Sequence, residues 1–248
     1  MSEPKVTFLI IGAQKAGSTA LDQCLRQHPD IGMAAVKEVH YFDDEERFRN
    51  GTNDHTAYEA HFPTGKRFLG EATPIYLWWK PACERIHRYN PAMKLIAVLR
   101  DPVERAFSHW NMEFNRGAEV RDFRSSIQAE LDRRARVPNE QHRVVSYLGR
   151  GFYAEQIERF HRSFDRRQLL CIKYEDLRED PQPQIARIFD HIGALPLPDP
   201  LLPSQLNKGL YSRSLDMETR QELREIFGPD IRRLERLLGW DLSAWLAR

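Results

Sequence analysis

Short unbroken apolar runs alternate along this chain with longer stretches of helical periodicity. Val6–Ile11, Lys94–Leu99 and Leu169–Lys173 read as buried parallel strands, with Arg67–Glu71 a weaker candidate. Between and after them, Thr19–Gln27, Pro81–Tyr89, Val103–Phe114, Phe152–Phe164 and Pro183–Ile192 read as helices. Thr19–Gln27 stops before Pro29, Pro102 opens Val103–Phe114 as a first-turn proline should, and Ile157, Phe160 and Phe164 share one helix face. Met217–Phe227 and Asp230–Leu238 carry two more helical periods, followed by a short Leu242–Leu246 piece. Strand and helix in alternation predict a single α/β domain over residues 1–248, its central parallel sheet flanked by helices. Phe42–Lys66 and the proline-rich Leu195–Ser204 are predicted to be irregular. Arg116–Arg143 mixes arginines with acids and reads either as a solvated helix and loop or as a mobile flap.

Composition narrows the function. At 248 residues and 41% hydrophobic content the chain can bury one substantial core. A net charge of +1 gives no global field for nucleic acid or an anionic membrane, so any anion site must be local. Val6–Ile11 is too short for a signal segment or a spanning helix, and nothing later reaches about 18 uninterrupted apolar residues. Cys24, Cys83 and Cys171 are odd in number and widely spaced, without a metal-binding C-x-x-C. A reducing cytoplasmic compartment is the expected home.

The chemistry begins at Gly12-Ala13-Gln14-Lys15-Ala16-Gly17-Ser18-Thr19, directly after the first strand. Its glycines have the spacing of the phosphate loop G-x-x-x-x-G-K-[ST], but Ser18 occupies the lysine slot and Lys15 sits three residues earlier. A strand-to-helix turn there aims backbone N–H groups and a helix N-terminus at an anion. The displaced lysine points to different chemistry at the terminal group.

Two further constellations follow. Leu99-Arg100-Asp101-Pro102-Val103-Glu104-Arg105-Ala106-Phe107-Ser108 places Arg100 where a strand ends, at the edge where open α/β sheets bind ligands. An arginine fork suits a phosphate monoester, and a surface ion pair of Arg100 with Asp101 or Glu104 is the competing reading. In Lys37-Glu38-Val39-His40-Tyr41-Phe42, Glu38 and His40 point the same way if the segment is extended, and either could take a proton from a hydroxyl. Such a base works best with a pKa near working pH, which for Glu38 needs partial burial or a neighbouring carboxylate. Tyr41, Phe42, Tyr76, Trp78, Trp79 and Trp110 either line a ring-stacking cleft or pack the core.

Together with Gly70-Glu71-Ala72-Thr73-Pro74 and Tyr174-Glu175-Asp176-Leu177, these motifs occur in the order seen in sulfotransferases. The chain resembles the branch holding the heparan sulfate N- and 3-O-sulfotransferase domains and their bacterial relatives, from about Phe8 through Gly239-Trp240-Asp241-Leu242 and Trp245. The resemblance implies transfer of a sulfuryl group from 3′-phosphoadenosine 5′-phosphosulfate (PAPS) to a hydroxyl or amine of a carbohydrate or small molecule. The product would be adenosine 3′,5′-bisphosphate (PAP), and no metal is needed. It implies that Lys15, Ala16, Gly17, Ser18 and Thr19 form a P-loop-like 5′-phosphosulfate loop. Arg100 and Ser108 would bind the 3′-phosphate, Glu38 would be the base, and His40 would position the acceptor or share the proton. Lys208, Gly209 and Arg213 match a loop that closes over the donor, and Tyr153 a stretch near the nucleotide. A P-loop-type small-molecule kinase is the alternative, disfavoured by Ser18 in the lysine slot.

Two departures from the pattern bear on the acceptor. Ala72 stands where the glycosaminoglycan enzymes have lysine, and no cysteine lies beyond Cys171 to form their closing-loop disulfide. With no membrane anchor expected, these features point to a cytoplasmic, bacterial enzyme and away from a heparan-type polymer.

Overall fold

The computed structural model describes residues 6–49, 54–138, 140–197, 199 and 214–247. Its elements run β1 (Phe8–Gly12), α1 (Ser18–Leu25), β2 (Ile31–Met33), α2 (Glu45–Arg49), α3 (Thr56–Glu59), β3 (Phe68–Ala72), α4 (Lys80–Tyr89), β4 (Lys94–Leu99), α5 (Pro102–Asn115), α6 (Phe123–Arg136), α7 (Tyr153–Ser163), β5 (Leu169–Lys173), α8 (Tyr174–Glu179), α9 (Pro181–Ile192), α10 (Met217–Leu238) and α11 (Ser243–Leu246). They fall into two compact units, Met1–Leu99 with Glu158–Asn207 and Arg100–Ile157 with Lys208–Arg248.

The first unit holds a five-stranded sheet in the order β2-β3-β1-β4-β5. Every pairing is parallel, with Phe8 opposite Gly70 and Lys94, and Leu95 opposite Leu169. Parallel strands covered on both faces must be apolar throughout, and all five residues of Phe8–Gly12 are buried, as are Leu95–Leu99. Gly12 is needed where β1 ends, because a Cβ there would lie 2.6 Å from that of Leu77. Backbone bonds prolong the pairing past the carboxyl ends: Ala13 N–H donates to Val98, Thr73 N–H to Ile10 and Ala34 N–H to Gly70. The chain therefore leaves β1, β2 and β3 at one edge, with β3 between the other two.

In the second unit, α6 buries Phe123, Ser126, Ile127 and Glu130, an i, i+3, i+4, i+7 stripe, and Asp122 caps it by accepting from Ser125 N–H. The arginine-rich segment is thus a helix and loop, the helix packed along one face and largely exposed along the other. The α10 helix runs unbroken through Gly228-Pro229, where two helices are predicted. A helix-interior proline costs roughly 3 kcal/mol. Thr219, Leu223, Phe227, Ile231 and Leu234, all buried along one face, offset that cost. Phe42–Lys66 holds two short helices, α2 and α3, rather than none. Of Leu195–Ser204, only 195–197 and 199 are described, and they carry neither helix nor strand. Among the described residues no helix is long and apolar enough to cross a membrane.

Candidate active site

The loop after β1 is shaped by two left-handed residues, Lys15 at φ 72° and Gly17 at φ 89°. Glycine takes that conformation without strain, whereas a lysine there costs on the order of 1–3 kcal/mol. Gly17 is also the N-cap of α1, with no capping side chain and no acid in the first turn. The helix therefore presents backbone N–H groups and its positive end uncompensated, a setting that favours an anion. The start of α5 is the opposite case. There Asp101 accepts from Val103 N–H at 2.8 Å and Glu104 N–H at 3.4 Å, filling that terminus with a carboxylate. Ala16 and Ser18 are buried, while Lys15 and Thr19 are half-buried.

Beyond β2, Glu38 and His40 meet, though not along an extended strand. His40 has φ 56°, which turns its ring so that Nε2 lies 3.4 Å from Glu38 Oε2. Its Nδ1 lies 3.0 Å from an oxygen of Asp43, a carboxylate with no exposed surface. Lys37 Nζ donates to Glu38 Oε1 at 3.1 Å. Hydrogen bonds that it donates to Asp43, then to Glu38, hold the His40 imidazolium so firmly that its pKa rises to about 9. Burial pulls the Glu38 carboxyl upward, but the His40 hydrogen bond and the charge of Lys37 outweigh it and set it below the ordinary carboxylate value. Partial burial alone therefore does not bring the Glu38 pKa up toward working pH. Glu38 is an ionised carboxylate at neutral pH, and His40 is a cation.

Chemically, Glu38 has one donor on each oxygen and a further lone pair on each, so it can accept a hydroxyl proton. A protonated His40 cannot. Lys37, Glu38, His40 and Asp43 sum to zero charge, which lowers the cost of holding four ionised groups together.

The aromatic residues Tyr41, Phe42, Tyr76, Trp78, Trp79 and Trp110 are all buried, the most exposed being Trp79 at 8%. They pack the interior, so ring stacking at an open cleft is not their use. Ala72 is buried as well, at the end of β3.

In the second unit, Arg100 Nη2 lies 4.0 Å from Glu104 Oε2, and Glu104 is held more closely by Arg220, at 2.5 Å. The predicted pairing with Glu104 is therefore loose and shared. Ser108 is buried in α5. Tyr153 is buried too, and its hydroxyl donates to the Arg100 carbonyl at 2.9 Å, which fixes the backbone that carries the guanidinium. Lys208, Gly209 and Arg213 lie outside the described residues.

Sequence reasoning passed over Asp43, Glu71, Thr73 and Tyr76. Asp43 sits three residues past His40, and only its complete burial shows that it serves the imidazole. Glu71 and Thr73 lie in the motif that carries the resemblance, and Tyr76 reads from the sequence only as an aromatic ring.

Comparison with known proteins adds the lineage. The sulfotransferase domain family matches residues 5–216. Human heparan sulfate glucosamine 3-O-sulfotransferase 3B1 is 32% identical over 187 residues, 75% of this chain and 45% of that protein, so the chain spans less than half the length of that curated relative. The crystal structure of a sulfotransferase from Alicyclobacillus acidocaldarius superposes with a TM-score of 0.81 at 31% identity, covering 98% of this chain and 100% of that one. A mouse sulfotransferase complexed with PAP shares the fold alone, at TM-score 0.52 and 13% identity over 92% of this chain and 84% of its own. With a five-stranded parallel sheet, a lysine-bearing loop after its first strand and these matches along most of its length, the chain belongs to the sulfotransferase domain family.

Proposed function

We propose that this chain moves a sulfuryl group from PAPS to a hydroxyl or amine of a carbohydrate or small-molecule acceptor, and that residues 1–248 act as one sulfotransferase domain. The observation that carries this reading is Glu38, an ionised carboxylate held between Lys37 and His40 on the segment that follows β2. The residues present fit the donor: an uncapped, acid-free helix start follows a loop with an aminium group at Lys15. The donor supplies a sulfuryl group on a phosphate leaving group. In the proposed reaction Lys15 and the loop N–H groups at Ala16, Gly17, Ser18 and Thr19 stabilise charge that builds on that phosphate. Arg100 and Ser108 read the 3′-phosphate, with Tyr153 holding the Arg100 backbone. Glu38 takes the acceptor proton. His40, protonated, orients Glu38 and keeps it anionic until the proton arrives. Lys208, Gly209 and Arg213, outside the described residues, are proposed to contribute to donor binding.

A kinase is not favoured, because Ser18 stands in the lysine slot and the family matched is that of the sulfotransferases. Three cysteines buried as free thiols fit a cytoplasmic setting. Calorimetry with PAP and with ATP tests the donor. PAP should bind without metal, ATP poorly, and Arg100→Ala should weaken PAP far more than adenosine 5′-phosphosulfate, which lacks the 3′-phosphate. Equal affinity for PAP and magnesium-ATP would refute the reading.

A further inference from the structure

The carboxylate of Glu71, on β3, has 1% of its surface exposed and gathers three hydroxyl donors. Tyr58 donates to Oε1 at 2.8 Å, Tyr76 to the same oxygen at 3.0 Å, and Thr73 to Oε2 at 2.6 Å. Two of these hydroxyls pass the polarity onward to the backbone beside Glu38 and His40. Thr73 Oγ1 accepts from Val39 N–H at 3.1 Å. Tyr76 Oη accepts from Tyr41 N–H at 2.9 Å and from Phe42 N–H at 3.3 Å. Tyr58 closes the third side by stacking on the Tyr41 ring, with centroids 4.4 Å apart.

A hydroxyl owns one proton, and each of these two spends its proton on Glu71 while its lone pairs receive amide protons. The directions agree only if Glu71 accepts throughout, so the carboxylate orients both hydroxyls toward the segment. The amides of residues 39, 41 and 42 bracket His40, whose backbone sits at φ 56°, a conformation that a side chain other than glycine adopts only when its surroundings impose it. Buried polar groups must be satisfied, and a fully satisfied network of this kind selects one backbone path.

We propose that Glu71 is a positioning residue for the reaction: through Thr73 and Tyr76 it fixes the Val39–Phe42 backbone and so aims His40 and Glu38 at each other and at the acceptor. The proposal rests on Glu38 acting as the base, but the geometry it asserts can be read without any turnover. The reporter is the His40 ring, which titrates at about 9 only while it is held against Asp43 and Glu38.

The test follows His40 by NMR titration in Thr73→Val, Thr73→Ser and Glu71→Gln, with PAP binding measured by calorimetry on the same samples. Valine keeps the shape and removes the hydroxyl, and serine restores it. Glutamine keeps the shape of Glu71 but puts an N–H₂ group where one oxygen accepted. In Thr73→Val and Glu71→Gln the His40 midpoint should fall from about 9 to below about 8, with PAP affinity unchanged, while Thr73→Ser stays at the wild-type value. Should Glu71→Gln fail to fold, the Thr73 pair decides. A folded Thr73→Val that keeps the wild-type His40 midpoint overturns the proposal. Failure of the wild-type protein to bind PAP would instead overturn the proposed donor and leave this titration to stand by itself.

Discussion

Replacing Asp43 by asparagine isolates the charge that makes His40 a cation. Asp43 has no exposed surface, and its oxygen lies 3.0 Å from His40 Nδ1. The imidazole pKa rises from an ordinary 6.5 to about 9 through hydrogen bonds donated to Asp43 first and to Glu38 second. Taken at face value, that rise is roughly 3 kcal/mol. The His40 side chain is 46% exposed, and water screens such a group, so about 1–2 kcal/mol is the realistic contribution. A raised histidine pKa stabilises the fold fully below its unfolded value, and the effect is lost as pH climbs through the folded value. The window here runs from about 6.5 to about 9. Urea unfolding of wild type and Asp43→Asn at pH 6 and pH 10 should therefore give a stability gap about 1 kcal/mol or more wider at pH 6. In the variant, His40 should titrate nearer its ordinary value. A gap of the same size at both pH values, or a variant His40 still titrating at about 9, would refute the reasoning.

The roles proposed for Glu38 and Lys15 give three further expectations. Glu38→Gln should lose on the order of 10²-fold or more in turnover with PAP binding intact, and His40→Gln should lose less. The reverse order in steady-state kinetics would make His40 the base. In wild type, turnover should be flat across neutral pH, because Glu38 ionises below the ordinary carboxylate value; a rise in rate through about pH 9 would identify deprotonated His40 as the base. Lys15→Ala should lower turnover more than donor affinity, since charge grows on the leaving phosphate only in the transition state; an unchanged kcat with a raised donor KM would assign Lys15 to uniform binding.

The sequence alone determined what depends on neighbours along the chain. The strands Lys94–Leu99 and Leu169–Lys173 were legible to the residue, because each is a short apolar run bounded at one end by a lysine, as strands of a covered parallel sheet read. The lysine displaced from its slot, the glycine at the start of α1 and the proline opening α5 were equally plain, since loop geometry and caps are local requirements. The three-residue strand Ile31–Met33 was not, being too short to carry a period, and α10 looked like two helices because local propensity counts against Gly228-Pro229. What only the tertiary structure decided is the protonation of the Glu38–His40 pair. The sequence offered two bases two residues apart. The assignment proposed above rests on Asp43 being buried against the imidazole and on backbone amides held by the Thr73 and Tyr76 hydroxyls, which the turn after β3 brings across. Charge states depend on desolvation and on partners across strands, and neither is encoded in residue spacing.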